Sequence, residues 1–203
     1  QPAVHSAFVR DDAAQARSYN EHAQLLEAKN PATGKLYQPC DFIVLDWNTV
    51  GTAMLQDAVW ANSAKLSSDT AYQETAVKFL TGSLKGWAYC RDNVQECTDL
   101  VVAQGSKLGA SHQLWQMNQI NQLIWPAPDG VGVIDQEAWD RTAEIAQNTP
   151  NLEGTTVLTA PPDAGAYTND IVNEALAKLQ DLGVDTTGDS YQPIEVTLNE
   201  GGT

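Results

Sequence analysis

The strongest constraint on this chain is a mismatch between a few strand-like segments and a long run of helices. Phe42-Ile43-Val44-Leu45 is a short apolar run of the kind found in a buried strand, ending at Asp46-Trp47-Asn48. A second run, 54–61, mixes Leu55, Ala58 and Val59 with Gln56 and Asp57 and reads as another strand. Ala13 to Ala16 reads as an opening strand before an amphipathic helix from Tyr19 to Lys29, and 191–198 as one more strand. So few strands cannot bury both faces of a sheet. The rest of that sheet is therefore expected to be missing or supplied by another chain.

From Asp69 onward the pattern is helical. Asp69 can cap a helix in which Ala76, Leu80, Leu84, Trp87 and Ala88 recur at three- and four-residue spacing. Further helices are expected over Val94 to Gln104 and Ser111 to Ile124, the latter stopped by Trp125-Pro126-Ala127-Pro128. Asp135 caps another. Thr168 opens a last helix whose Val172, Ala175, Leu176 and Leu179 form a stripe closed by Gly183. Trp60, Trp87, Trp115, Trp125 and Trp139 are expected in the core.

Few kinds of chemistry have their parts here. With 26 acidic against 11 basic residues the net charge is −15, and no basic stripe exists to meet phosphates, so nucleic acid is not an expected partner. His5, His22 and His112 have no metal-binding spacing, and no cofactor is implied. No nucleophile elbow or phosphate-binding lysine loop is present, and Asp129-Gly130-Val131-Gly132 follows a Pro-rich turn rather than a strand. Cys90 and Cys97 are placed either for a bridge across a helix–helix turn or as two half-buried thiols. Tyr19-Asn20-Glu21 and Asp46-Trp47-Asn48 also carry two readings: local helix or turn capping, or a ring and carboxylate offered to a ligand at a strand end.

Several stretches taken together resemble one family. They are Asp12-Ala13-Ala14-Gln15 with Tyr19-Asn20-Glu21, Asp46-Trp47-Asn48 with Gly51-Thr52-Ala53-Met54-Leu55-Gln56-Asp57, and Gly86-Trp87-Ala88-Tyr89-Cys90-Arg91-Asp92-Asn93. Trp115-Gln116-Met117-Asn118 and Leu123-Ile124-Trp125-Pro126-Ala127-Pro128 with Gly130-Val131-Gly132 complete the set. From about Phe8 onward the chain resembles the substrate-binding proteins of ABC importers, in the pyrimidine-synthase-like branch that takes up thiamine-pyrimidine precursors or riboflavin.

The resemblance implies an α/β, two-lobed type II periplasmic-binding-protein fold, with this chain as its helix-rich C-terminal portion. Residues 1–41 would end the second lobe and its return crossing, and 42–203 would form the later part of the first. The N-terminal segment would be absent or carried by a separate chain. It implies a non-catalytic, extracytoplasmic protein that captures a small heteroaromatic molecule and docks on an ABC permease. Tyr19, Asn20 and Glu21, with Asp46, Trp47 and Asn48, would face the ligand, and Cys90 and Cys97 would form a disulfide. The alternatives are a pyrimidine-synthase-type enzyme on the same fold, whose cysteine-rich cluster this chain lacks, and a sensor domain that has lost transport.

Overall fold

The computed structural model describes residues 14–105, 107 and 109–201. Its helices are α1 (Glu21–Leu26), α2 (Ser63–Ser68), α3 (Thr70–Asp92), α4 (Val94–Gln104), α5 (Ala110–Ile124), α6 (Gln136–Asn148) and α7 (Asp170–Asp181), with a 3-10 turn at Pro39–Asp41. The chain divides into two compact units. The first comprises Gln1–Ile43, Gly86–Pro128 and Thr187–Thr203, and the second Val44–Lys85 and Asp129–Thr186.

Helix boundaries follow the capping chemistry closely. The Asp135 side chain accepts from the Ala138 amide at 2.8 Å, and the Asp69 side chain accepts from the Tyr72 amide at 3.1 Å. Thr168 Oγ1 takes the Asp170 amide at 3.1 Å. Gly183 at φ 72° closes α7 while the Val184 amide returns to the Leu179 carbonyl. The α7 stripe is buried as its spacing predicts, at Val172, Ala175, Leu176 and Leu179. On α3 the expected Leu84 and Ala88 are buried, joined by Val77 and Arg91; Ala76 and Leu80 are only partly covered and Trp87 is exposed, so the buried stripe is rotated from the expected one.

In the second unit the loop after Pro128 lies tightly on α7. A Cβ on Gly130, whose φ is 98°, would stand 2.7 Å from Leu176 Cδ1, so this glycine serves packing rather than phosphate binding. In the first unit α5 packs against α4 and α1. Its core is unusually polar: Thr98, Asn118 and Asn121 are buried beside Ala23, Leu26, Cys97 and Trp125.

The described residues are helix-rich, as expected, but the strands of an α/β fold are not seen among them: they carry a single isolated bridge, Lys29 to Leu36. Ala13 lies outside the described residues, and 14–16 form no strand. Segments 42–45 and 54–61 are likewise not strands and lie largely open, with Ile43 95% and Trp60 86% exposed. The physical reason is the lack of a partner: a strand is held by ladder bonds to a neighbour, and none is present among the described residues. The second segment is instead anchored at its start to α6, where Arg141 Nε donates to the Ala53 carbonyl at 2.9 Å and the Leu55 amide to Thr142 Oγ1 at 2.8 Å.

The tail 191–198 is held by a side chain rather than a strand. The Asn118 amide donates to the Ile194 carbonyl at 2.9 Å and accepts from its N–H at 3.0 Å, imitating one rung of a ladder. The tryptophan expectation also needs correcting. Trp125 is buried, whereas Trp60 and Trp87 are exposed and Trp115 and Trp139 are only partly covered.

Candidate functional site

Tyr19, Asn20 and Glu21 sit together in the first unit where the chain enters α1, all three half-buried. Asn20 occupies the N-cap position, yet its side chain makes no cap bond. Its carbonyl oxygen instead faces His112 Nε2 at 3.1 Å. The other ring nitrogen, Nδ1, lies 3.0 Å from both carboxylate oxygens of Glu27. His112 is 2% exposed and Glu27 3%. An oxygen atom thus stands within hydrogen-bond reach of each ring nitrogen.

This buried pair fixes the entrance to α1. Gln24 Nε2 also donates to Asn20 Oδ1 at 3.4 Å, leaving the Asn20 amide nitrogen 3.5 Å from Glu21 Oε1. Glu21 accepts from the Arg17 amide at 3.0 Å. Trp115 Nε1 donates to the Ser18 carbonyl at 3.0 Å, and His22 meets the Trp115 ring edge-on at 6.5 Å between centroids. Burial holds His22 below the usual histidine range, and its buried Nε2 has no hydrogen-bond partner among the described residues. The cluster therefore offers a half-exposed phenol, an amide held from behind and a partly committed carboxylate.

Asp46, Trp47 and Asn48 belong to the second unit and are exposed. Asp46 Oδ1 accepts from the Asn48 amide at 2.7 Å, and the Thr52 amide returns to the Trp47 carbonyl at 2.9 Å. These residues build an Asx-type turn, the capping reading of the motif.

Cys90 and Cys97 are joined by a disulfide between the end of α3 and the start of α4, with Cα atoms 5.5 Å apart. Beside it Tyr89 donates to Glu96 Oε2 at 2.7 Å, and that bond raises the Tyr89 hydroxyl above its ordinary value. Cys40 is a free, exposed thiol. The bridge spans seven residues, and loop-closure entropy gives it a worth of about 2.5 kcal/mol. Denaturant titration with and without reductant should therefore show a lower midpoint for the reduced protein; coincident curves would contradict this.

The sequence shows His112 only as a histidine without metal-binding spacing and does not reveal its pairing with Glu27, because 85 residues separate them and neither belongs to a motif. Among the described residues no three potential metal ligands converge. Comparison with family models, with curated proteins and with solved structures finds no match.

Proposed function

We propose that the chain is the later part of an extracytoplasmic solute-binding protein of an ABC importer, capturing a small heteroaromatic molecule such as a pyrimidine thiamine precursor or riboflavin. The two-lobed type II architecture, with 1–41 ending one lobe and 42–203 continuing the other, belongs to this reading, as does docking on a permease. The observation that carries it is the state of Tyr19-Asn20-Glu21. The Asn20 side chain is withdrawn from helix capping and held by a buried His112–Glu27 pair, which leaves a ring, an amide and a carboxylate at one half-exposed place. That is the mixture of stacking surface and oriented polar groups that a flat heterocycle needs.

Two further features support it. Segments 42–45 and 54–61 expose Ile43, Leu45, Val59 and Trp60, a state expected of strands parted from their sheet. The Cys90–Cys97 disulfide suits an oxidising compartment.

Native mass spectrometry of the purified protein, followed by the same sample denatured, is the direct test. The expected result is a native mass above that of the bare 22.0 kDa chain, by a small ultraviolet-absorbing molecule or by a complementary polypeptide. Titration with riboflavin and with a hydroxymethylpyrimidine should then quench tryptophan fluorescence. Tyr19→Ala and Glu21→Gln should each weaken that binding about tenfold. Turnover of either compound, or no binding even with the complementary polypeptide present, would overturn the proposal.

A further inference from the structure

The second unit holds a cleft of about 750 Å³ between α6 and the loop that leads into α7, and nothing in the proposed function uses it. From α6 it takes Gln136, Trp139 and Asp140, and from the loop Asp163 and Tyr167. It is an open groove rather than an enclosed cavity, with room for a small molecule.

The two walls are tied together. Tyr167 donates its hydroxyl to Gln136 Oε1, and Gln136 Nε2 donates to Asp140 Oδ1 at 2.7 Å. The rings of Trp139 and Tyr167 lie 4.6 Å apart at 45°, forming a tilted aromatic corner. Behind them Asn169 pins the loop, accepting from the Ile134 amide and donating to its carbonyl at 3.0 Å each. The corner is therefore fixed by side-chain bonds before any ligand arrives.

Its charge is one-sided. Asp140 and Asp163 line the cleft, and among the described residues no Lys or Arg does. The closest sequence neighbour with a positive charge, Arg141, directs its Nε to the Ala53 carbonyl. An anion would be repelled here, and a neutral apolar molecule would gain only the rings. A cation gains the ring faces and the carboxylates together. A bare metal ion lacks its usual ligands, since no three metal-binding side chains converge among the described residues.

We propose that this cleft binds a small organic cation with a diffuse charge, of the trimethylammonium type, seated on Trp139 and Tyr167 and neutralised by Asp140 and Asp163. The site is independent of Tyr19-Asn20-Glu21, and its test does not rest on the transport reading.

Choline is the probe and 3,3-dimethylbutanol its neutral isostere, with binding read from the indole N–H resonance of Trp139 in the intact protein. Choline should shift that resonance saturably with a Kd of about 1 mM or below, and the isostere should bind about tenfold more weakly. Trp139→Leu and Asp163→Asn should each weaken choline by about tenfold, the latter followed by the same resonance and the former by calorimetry. Asp163 is exposed, so its variant keeps the fold and the test survives even if Trp139→Leu does not fold. Equal binding of choline and its isostere, no saturable shift, or a response to calcium ions alone would each overturn the proposal.

Discussion

Replacing Glu27 with alanine is expected to lower the stability of the protein by about 3–5 kcal/mol, among the largest effects of any single substitution here. Glu27 and His112 are both about 3% exposed at the side chain, with His112 Nδ1 3.0 Å from the carboxylate. Removing the carboxylate leaves the buried His112 Nδ1 without the group it faces and opens a void where the Glu27 side chain stood. The Lys29–Glu200 pair is a natural control. It is closer still, at 2.6 Å, but both side chains are more than half exposed, so Glu200→Ala should cost no more than about 1 kcal/mol. Urea denaturation followed by fluorescence would compare the two. The double variant Glu27→Leu with His112→Leu should recover much of the loss, because buried ion pairs are often matched by apolar replacements of similar size. If Glu27→Ala behaves like Glu200→Ala, the buried pair is not holding α1 to α5.

Gly188→Ala should be nearly as damaging, at about 2–5 kcal/mol, although it adds one methyl group. Gly188 has φ 65°, where any side chain is strained, and the added Cβ would lie 2.6 Å from Trp125 Cε3 and 2.9 Å from Arg91 Nη1. Neither neighbour can retreat easily. Trp125 is buried, and the Arg91 guanidinium lies over its ring at 4.6 Å while Nε is bound to Asp92 at 2.7 Å. Thermal unfolding of Gly188→Ala beside Gly183→Ala separates strain from collision, since Gly183 has a similar φ of 72° but open space around it. A larger loss at 188 is expected; equal losses would mean that the Trp125 contact yields freely.

What the sequence made legible was mostly local. The limits of α4, the Asp135 cap and the Gly183 stop depend on residues within a turn of one another, and the pattern places them correctly. The same kind of reading fails for 42–45 and 54–61, because an apolar run states a need for burial without naming what will bury it. Trp87 and Trp139 fail for a related reason. Helical periodicity puts them on a plausible face, but only the neighbouring elements decide whether that face is covered. At the candidate site the motif Tyr19-Asn20-Glu21 was visible, while its support came from His112 and Glu27, a histidine in the first turn of α5 and a glutamate just past the end of α1. The link between Asn20 and His112 crosses 92 residues and leaves no trace in spacing.

The first unit is stitched from three separate stretches, with the two stretches of the second unit lying between them in the chain. The His112–Glu27 and Asn118–Ile194 contacts accordingly join residues 85 and 76 positions apart. During synthesis the second unit has all its residues once 186 has emerged, while the first still awaits its closing piece. At roughly 5–20 residues per second, the ribosome needs roughly 3–12 s to pass from residue 128 to 187. For that interval α5 has no Ile194 to receive the Asn118 amide, and Trp125 has no Gly188 against its ring. The nascent chain thus exposes a half-built, polar-cored unit long after its helices can form, and holding that unit soluble becomes a task for whatever meets it at the exit.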